Sequence, residues 1–314
     1  MRVLVTGGAG FIGSNLVNVL LNAGETVGVI DDLSTGDIAN LNPAAWSRVL
    51  DICDPALPRA VAEFAPEAVV HLAAQVDVTT SIADPAFDHK VNVEGTRAVA
   101  AAARDAGARL MLAASSAAVY GPDVAVPTVE TAAKAPFNPY GEHKLIGEAV
   151  LAETFGGGDR DFASLRFSNV YGPRQSALGE GGVVAIFARR MVLGETPVVY
   201  GDGGQTRDFI YVADVCSAIL SALASPHRLA EPGADGHSYN ISTGARIDVE
   251  SLAGLLRQAT GYEGPIDHEP PRPGDVHDSA LEPSKAAEVL GWKAEVELGA
   301  GIRQTARWFA GEAR

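Results

Sequence analysis

The chain has 314 residues, of which 47% are hydrophobic, and a formal net charge of −15 at neutral pH. This length suffices for one large α/β domain or two smaller ones, and the hydrophobic fraction favours a folded core over disorder. The acidic balance argues against nucleic acids and anionic membranes as partners, so an anionic ligand must be held by locally placed arginines.

The two cysteines, Cys53 and Cys216, stand in unrelated contexts that fit neither a disulfide framework nor a metal site. The first residues, MRVLVTGGAGFIG, lack the long apolar core and the cleavage site of a signal peptide. No run of about 18 apolar residues is present that would span a membrane. The sequence therefore predicts a cytoplasmic protein without a bound metal.

The first half of the chain alternates short apolar runs with helix-like segments. Strands are predicted at Arg2–Thr6, Thr26–Ile30, Arg48–Leu50, Ala68–Leu72, Arg109–Ala113 and Phe162–Phe167. Helices are predicted at Ser14–Asn22, Val93–Ala106 and Tyr140–Phe155. This alternation predicts an α/β fold with a doubly wound parallel sheet of the Rossmann type, which binds ligands at the carboxyl ends of its strands.

A glycine-rich turn joins the first predicted strand to the first helix. Gly7, Gly10 and Gly13 have the spacing GxxGxxG. Glycine permits the tight turn and lets the backbone approach a pyrophosphate at the positive end of the helix. A purely structural turn is the alternative, and the strand–turn–helix context favours a dinucleotide site over it.

A carboxylate follows the second predicted strand. Asp31 lies 18 residues beyond Gly13. At that place a carboxylate can bind the ribose 2′-hydroxyl of NAD and would repel the 2′-phosphate of NADP. An ordinary surface aspartate is the alternative, which the spacing disfavours. Asp51 and Ile52, after the third strand, are expected to flank the adenine.

Tyr140 and Lys144 are four residues apart, on one face of a predicted helix. The spacing is common and is also compatible with an ordinary surface helix. Beside a nicotinamide it has a chemical use, because a lysine ammonium and an oxidised nicotinamide both lower the pKa of tyrosine, ordinarily about 10, towards that of a useful base. Lys144 can also bond the nicotinamide ribose. Ser116, which follows a predicted strand, is expected to bond the same substrate oxygen as Tyr140.

After about Tyr171 the alternating pattern loosens, and Gly172–Gly182 and Pro265–Asp278 are rich in glycine, proline and charge. The pattern predicts that residues 1–172 form an NAD-binding Rossmann domain. Residues 173–314 are predicted to form mainly a smaller, partly interleaved α/β lobe that binds the substrate. Part of the segment from roughly residue 205 to residue 245 is expected to return to the Rossmann sheet.

Nine segments, in chain order, resemble the extended short-chain dehydrogenase/reductases, and within them the UDP-glucose 4-epimerases, over nearly the whole chain. They are TGGAGFIG, DDLSTG, HLAA, NVEGT, SSAAVYG, PYGEHK, RFSNVYGPRQ, GDGGQTRDFIYVADV and RPGD. The resemblance implies C4 epimerisation of UDP-glucose and UDP-galactose through a 4-keto sugar, with tightly bound NAD. It also implies a homodimer formed through the helices that carry Val93–Ala106 and Tyr140–Phe155.

The resemblance also assigns roles to individual residues. It implies catalytic roles for Ser116, Tyr140 and Lys144. It implies NAD contacts for Gly7, Gly10, Phe11, Ile12, Gly13, Asp31, Asp32, Asp51, Ile52, Leu72, Ala73, Ala74, Asn92, Tyr140 and Lys144. It implies substrate contacts for Ser116, Tyr140, Asn169, Val183, Tyr200, Arg207, Arg272, Asp275 and Ser279.

Two arginines among the implied substrate contacts suit a diphosphate. Arg207 and Arg272 are expected on it, because a guanidinium fork matches phosphate oxygens, and Tyr200 is expected to cover the uracil. A surface salt bridge is the alternative for either arginine. His71, His89 and His143 are expected to be structural or exposed rather than catalytic bases.

The residues after Ser116 bear on the reaction. Related dehydratases carry Asp-Glu there, and related UDP-uronate decarboxylases usually carry a glutamate, whereas this chain has Ala117 and Ala118. With no extra acid or base, the hydride is expected to return to C4. In the 4-epimerases that the chain resembles, the residue seven positions after the RPGD arginine borders the space around the C2 substituent of the sugar. The resemblance therefore implies that the small Ser279 leaves room for an N-acetyl group. A UDP-glucuronate 4-epimerase, or a related uronate-modifying enzyme, and a non-catalytic dinucleotide sensor remain alternatives, and UDP is not distinguished from dTDP.

Overall fold

The computed structural model describes residues 1–157, 159–178, 182–225, 229, 235–271 and 276–312. The strands β1 to β14 are Arg2–Thr6, Thr26–Asp31, Trp46–Val49, Ala68–His71, Leu110–Ser116, Asp161–Phe167, Asn169–Tyr171, Val198–Tyr200, Thr206–Arg207, Phe209–Tyr211, Ser238–Ile241, Ile247–Asp248, Asp267–Glu269 and Asp278–Ser279. Seven of them form one parallel sheet in the order β11-β6-β5-β4-β1-β2-β3. The doubly wound parallel sheet predicted from the sequence is confirmed.

Helices cover both faces of this sheet. The helices α1 to α11 are Phe11–Asn22, Leu57–Phe64, Val78–Ala83, Pro85–His89, Thr96–Asp105, Pro139–Phe155, Val183–Val192, Val212–Ala224, Val249–Thr260, Ser284–Leu290 and Leu298–Glu312. Short 3₁₀ turns occur at Ile38–Asn40 and Ala117–Val119, and a π-helical segment at Lys90–Gly95 leads into α5. Among the helices of the described ranges, none is long and apolar enough to cross a bilayer.

The strand β1 illustrates why the sheet lies at the centre of the core. Its residues Val3, Leu4 and Val5 are completely buried, as expected for a parallel strand that is covered on both faces. Val3 and Val5 pack with Leu16 of α1 in one apolar cluster. Leu4 points to the other face and packs with Phe64 of α2, in the cluster to which α5 and α6 also contribute.

The sheet changes direction of winding beside β1, which pairs with β2 on one side and with β4 on the other. The glycine-rich turn follows β1 at this point, where open α/β sheets bind their ligands. At the far edge, β11 pairs with β6 although more than 70 residues separate them in the sequence. The chain therefore leaves the sheet after β6 and returns to it from within residues 205–245.

The segments outside the sheet, between β6 and β11 and after β11, build a second lobe. Its helices α7, α9 and α11 pack on one another. Its strands are only two or three residues long and form the small sheets β12-β9-β14 and β13-β8, while β10 pairs with β7. Such short strands carry few backbone hydrogen bonds, so the helices supply most of the packing in this lobe.

Some element boundaries differ from the predicted ones. The first helix begins at Phe11, three residues earlier than predicted, because Gly10 already has the extended backbone of an N-cap. The helix predicted over Val93–Ala106 is α-helical only from Thr96, since the preceding turn is π-helical. The third strand, β3, begins two residues before the predicted Arg48.

Candidate active site

The glycine-rich turn is shaped by contacts that leave no room for side chains. Gly7 has a φ of +73°, in the left-handed region that favours glycine. A Cβ atom on Gly7 would lie 2.6 Å from the backbone nitrogen of Ala73, and one on Gly13 would lie 2.1 Å from the carbonyl oxygen of Gly7. Helix α1 begins here at Phe11, and its N-cap residue, Gly10, provides no side-chain cap. The turn therefore fits a pyrophosphate, which needs close approach to free N–H groups at a helix start.

Asp31 is buried at the end of β2 and holds the turn in place. Its Oδ2 accepts a hydrogen bond from the backbone N–H of Ala9 at 2.8 Å, and its Oδ1 accepts one from Leu33 N–H at 2.9 Å. Each carboxylate oxygen keeps acceptor capacity that a ribose hydroxyl can use. The neighbouring Asp32 is exposed and accepts a hydrogen bond from Ser34 N–H. The hydrogen-bond acceptors at this strand end fit the ribose hydroxyls of NAD.

The other implied NAD contacts lie along the same edge of the sheet. Phe11 and Ile12 open α1, and the partly buried segment 72–74, which contains Leu72, Ala73 and Ala74, directly follows β4. Asp51 is exposed, and its Oδ1 accepts a hydrogen bond from Cys53 N–H at 2.8 Å. Ile52 is buried against Gly95, where a Cβ atom would lie 2.6 Å from its side chain. This placement is compatible with a dinucleotide lying across the ends of β1, β2 and β4.

Asn92 uses its side chain within the protein. It is buried, its Oδ1 accepts a hydrogen bond from Gln75 N–H at 3.1 Å, and its Nδ2 donates to Gln75 O at 2.9 Å and to Asp88 Oδ1 at 3.1 Å. Both amide hydrogens are thereby engaged. Asn92 fixes the segment that follows β4, and a direct contact with NAD remains a prediction.

The predicted catalytic group, Ser116, Tyr140 and Lys144, comes together at the end of β5. Ser116 is the last residue of β5, and a side-chain hydrogen bond joins it to Tyr140 in the first turn of α6. The Lys144 Nζ lies 5.9 Å from the centre of the Tyr140 ring and donates to the Ala114 carbonyl oxygen at 3.2 Å. The three side chains thus converge although 24 residues separate Ser116 from Tyr140.

The start of α6 is fixed tightly against the turn that follows β5. Asn138 caps the helix, because its Oδ1 accepts a hydrogen bond from Gly141 N–H at 2.8 Å. A Cβ atom on Gly141 would lie 2.6 Å from the carbonyl oxygen of Ala118. The helix can therefore approach the 3₁₀ turn Ala117–Val119 this closely only with glycine at position 141.

The protein groups alone do not lower the pKa of Tyr140. Burial raises this pKa and Asp88 adds to the rise, while the hydrogen bond with Ser116 opposes it. In the chain by itself burial dominates, so the net shift of the Tyr140 pKa is upward. Burial also lowers the pKa of Lys144 to about 8, against the opposing charges of Asp88 and Glu148. The expected effect of an oxidised nicotinamide on Tyr140 stays a prediction.

A buried carboxylate, Asp88, anchors the first turns of α6 from below. It accepts hydrogen bonds from His143 Nδ1 at 2.6 Å and from Gln75 Nε2 at 2.5 Å, and it is completely buried. The edge of the His89 ring meets the His143 ring, with 5.1 Å between their centres. The Tyr140 N–H in turn donates to Ser81 Oγ at 3.2 Å. These bonds give His143 a structural part in placing the helix.

His71 is also a structural histidine. The Thr96 hydroxyl donates to Asn92 O at 2.7 Å, so it accepts from His71 Nε2 at 3.1 Å. His71 Nδ1 then accepts from the Thr6 hydroxyl at 2.7 Å. Burial lowers the pKa of His71 to about 3. The ring is therefore neutral at ordinary pH, and it links the ends of β1 and β4 to α5.

A cleft of about 620 Å³ opens in the second lobe, and we call it the substrate cleft. Four of the residues implied in substrate binding line it: Asn169, Val183, Tyr200 and Arg207. Asn169 lies two residues beyond Phe167, which is the partner of Ser116 in the register of β5 and β6. One residue of the substrate cleft therefore lies close along the chain to the strand that pairs with the catalytic end of β5.

One wall of the cleft presents donors suited to an anion. Helix α7 begins at Val183, and its N-cap residue, Gly182, provides no side-chain cap. Arg207 donates from Nη1 to the carbonyl oxygens of Thr206 at 2.8 Å and of His277 at 3.1 Å, which fix its position. Uncapped N–H groups at a helix start and a guanidinium are both typical phosphate ligands.

Three further residues predicted to contact the substrate are Ser279, Arg272 and Asp275. Ser279 is partly buried in β14, directly opposite Arg207 in the register of β9 and β14. It is therefore a strand neighbour of a residue that lines the cleft. Arg272 and Asp275 lie outside the described residues.

Several residues that shape the site were not predicted from the sequence. Glu148 continues the spacing of Tyr140 and Lys144 by another four residues, and this repeat was a detectable signal. Asp88 gave no such signal, because its place beneath α6 depends on how α3 and α4 pack. Gln205 lines the substrate cleft and donates from Nε2 to Tyr200 O at 2.9 Å.

The structure combines a glycine turn after β1 with serine, tyrosine and lysine at the end of β5. This combination is typical of Rossmann-type dinucleotide-dependent enzymes. The profile of the NAD dependent epimerase/dehydratase family matches residues 3–242. The chain belongs to this family, and the resemblance seen in the sequence is confirmed.

Relatives of known structure and name are similar over the full length. A protein named UDP-glucose 4-epimerase from Mycolicibacterium smegmatis is 42% identical over 98% of this chain and 98% of its own. The crystal structure of a UDP-glucose 4-epimerase from Thermotoga maritima with UDP-glucose matches with a TM-score of 0.92 at 40% identity, over 100% of both chains. The UDP-glucose 4-epimerase of Thermus thermophilus in complex with NAD matches with a TM-score of 0.88 at 38% identity, over 99% of each chain.

Proposed function

We propose that this protein interconverts UDP-glucose and UDP-galactose by NAD-dependent epimerisation at C4 of the sugar. One observation carries the proposal above all: Ser116, Tyr140 and Lys144 converge at the end of β5, whose partner strand β6 leads to Asn169 in the substrate cleft. The cleft offers the helix start at Val183 and the guanidinium of Arg207 to a diphosphate. Full-length relatives near 40% identity that carry the same activity in their names support the choice of reaction.

The residues of the chain perform the proton transfers and hold the reactants. NAD, when bound in the glycine turn and against Asp31, supplies the hydride acceptor and donor for C4. We propose that Tyr140, which is hydrogen-bonded to Ser116, takes the proton of the C4 hydroxyl and returns it. The Lys144 ammonium lies on the same face of α6 and contributes positive charge near the phenol. We propose that NAD stays tightly bound, since the reaction consumes none of it.

The surroundings of Ser116 favour return to C4 over other outcomes. Ala117 and Ala118 form the 3₁₀ turn beside the catalytic group and bring no carboxylate or thiol to it. Proton transfer at carbons other than C4 needs such an acid or base. A uronate decarboxylase is therefore not favoured, and the names of the full-length relatives favour UDP-glucose over UDP-glucuronate as the substrate. A non-catalytic sensor is also disfavoured, because the catalytic group is complete.

The sugar itself is proposed to be held loosely, so that N-acetylated substrates also fit. Ser279 is small, and its strand partner Arg207 lines the substrate cleft. A larger side chain at position 279 would extend from β14 beside this wall. We propose that UDP-N-acetylglucosamine and UDP-N-acetylgalactosamine are accepted as well. Val76 is exposed and Val78 is partly buried at the start of α3, so either could narrow this space in the complex.

The organisation of the molecule follows as a set of further proposals. We propose that residues 1–172 bind NAD and that residues 173–314 mainly form the substrate lobe.

We propose a homodimer formed through α5 and α6, supported by the exposed Ile82 and Phe87 on the short helices that pack against α6. Light scattering of the wild type and of Phe87→Glu tests this, with a dimer expected and a monomer in the variant. A cytoplasmic location suits the proposed cofactor and substrate.

Nuclear magnetic resonance of reaction mixtures tests the proposed function. Purified protein is incubated with UDP-galactose, with UDP-N-acetylgalactosamine or with UDP-glucuronate, without added nucleotide cofactor. We expect conversion of UDP-galactose to UDP-glucose and of the acetamido sugar to its C4 epimer. Turnover of UDP-glucuronate alone would favour the uronate alternative, and no turnover of any substrate would favour the sensor.

A further inference from the structure

Helix α6 carries a third polar residue in line with two members of the catalytic group. Tyr140, Lys144 and Glu148 are spaced by four residues, so their side chains lie one above another on the same face of α6. Glu148 has a side-chain exposure of only 12%. No substrate or cofactor role in the proposed reaction uses this buried carboxylate.

The three residues of α6 contact three consecutive residues of β5. Tyr140 is hydrogen-bonded to Ser116, and Lys144 donates to the carbonyl oxygen of Ala114 at 3.2 Å. Between these two positions, the Ser115 hydroxyl donates to Glu148 Oε1 at 2.5 Å. Each of three successive turns of the helix is thus joined to the catalytic end of the strand.

A buried arginine fixes Glu148 from the opposite side. Arg166 on β6 donates from Nε to Glu148 Oε1 at 2.9 Å and from Nη2 to Glu148 Oε2 at 2.6 Å. This bidentate arrangement holds a carboxylate in one orientation. Arg166 also donates from Nη2 to Asp235 Oδ1 at 2.9 Å, so it has a second carboxylate partner that contacts neither α6 nor β5 in the described bonds.

We propose that Glu148 is a positioning residue, which locks the helix carrying Tyr140 and Lys144 onto the end of β5. The inference rests on the proposed function for its kinetic part only. The ionisable groups around Lys144 are Asp88 from α4, His71 from β4, and Tyr140 and Glu148 on its own helix. His71 is neutral, so Asp88 and Glu148 are the two negative charges that oppose the effect of burial on the pKa of Lys144.

Three variants distinguish this positioning role from a general contribution to the stability of the fold. Glu148→Gln removes the charge and keeps a side-chain oxygen for Ser115. Asp235→Asn is the matched control, because it takes a carboxylate away from the same arginine without touching the α6–β5 contacts. Ser115→Ala breaks the contact with β5 and leaves all charges in place. For each variant the pH dependence of acylation of Lys144 is followed by mass spectrometry, and kcat and KM for UDP-galactose are measured against pH.

The expected results differ between the variants. Glu148→Gln should lower the pKa of Lys144 by roughly one unit, reduce kcat about tenfold or more with KM little changed, and move the alkaline loss of activity to lower pH. Asp235→Asn should leave the pKa of Lys144 and the pH profile unchanged. Ser115→Ala should lower kcat without shifting the pKa of Lys144.

Two results would overturn the inference. One is an unchanged pKa of Lys144 in Glu148→Gln, with kcat reduced no more than in Asp235→Asn. The other is a wild-type kcat in Ser115→Ala. An inactive wild-type protein would count against the proposed function instead, and the acylation profiles of Lys144 would still decide whether Glu148 acts on Lys144.

Discussion

The catalytic end of β5 and the substrate cleft are built in different ways. At the catalytic end, a seven-residue strand and a seventeen-residue helix meet through buried hydrogen bonds. In the cleft, the strands β8 and β9 have three and two residues, and the side chains that line it come from several separate elements. We propose that the chemical step depends on the long elements β5 and α6, whereas binding of the nucleotide sugar draws on α7 together with short strands of the second lobe.

The largest effect is expected when the hydroxyl oxygen of Tyr140 is removed from the catalytic end of β5. Tyr140→Phe should reduce kcat by about 10² or more, because a positioned acid–base group is lost. KM for UDP-galactose should change little, since the diphosphate is bound elsewhere. Steady-state kinetics checks this, with Tyr262→Phe as the control, whose hydroxyl donates to Pro265 O far along the second lobe. Near-normal turnover in Tyr140→Phe would rule out Tyr140 as the base.

A change in the cleft should have the opposite kinetic signature. Arg207→Ala removes a guanidinium from the substrate cleft, and charge-assisted hydrogen bonds contribute about 1.5–3 kcal/mol. KM should therefore rise roughly 10- to 100-fold, with a smaller effect on kcat. Arg257→Ala is the control, since this exposed arginine donates to Gly264 O outside the cleft. A loss confined to kcat would mean that Arg207 serves the chemical step instead.

The contrast between the long elements of the catalytic end and the short strands of the substrate cleft explains which parts of the site could be predicted from the sequence. The glycine turn, Asp31 and the catalytic group follow long periodic elements in a fixed order, so their convergence could be foreseen. The buried partners of Asp88 and Glu148 could not, because they depend on how α4 and β6 pack against α6. The rise of the Tyr140 pKa in the chain by itself could not be predicted either, since burial of the phenol is a property of the packed structure. The short strands of the cleft gave too few residues for a periodic signal.

The free energy of unfolding should decrease at acid pH because of the buried His71. The unfolded chain binds a proton at His71 below pH 6.5, whereas the folded protein does so only near pH 3. The free energy of unfolding must therefore fall as the pH falls below 6.5, by about 1.4 kcal/mol per unit. Near pH 5 this amounts to about 2 kcal/mol.

His71→Asn removes this contribution. The variant should be less stable than the wild type at pH 7, because the bridge between Thr6 and Thr96 is lost, but its stability should depend less on pH between 6.5 and 4.5. Urea unfolding at several pH values measures the slope. His268→Asn, at an exposed histidine, is the control and should keep the wild-type slope. An unchanged slope in His71→Asn would contradict a neutral, buried His71.

The smallest expected effect concerns the choice of sugar. Ser279→Tyr should reduce turnover of UDP-N-acetylgalactosamine about tenfold relative to that of UDP-galactose, because a large side chain fills space beside the cleft wall. Competition between the two substrates in one mixture gives the ratio directly. Ser279→Ala, which adds no volume, should keep the wild-type ratio. Equal ratios in all three proteins would remove Ser279 from the determinants of specificity.

One measurement tests the proposed reaction most directly. Purified protein is incubated with UDP-galactose in D₂O without added cofactor, and hydrogen at C4 of the product is observed by nuclear magnetic resonance. We expect UDP-glucose that retains protium at C4, because the hydrogen taken from C4 is returned to the same carbon without exchange with solvent. Deuterium at C4, or a requirement for added NAD in every turnover, would contradict epimerisation by direct hydride return.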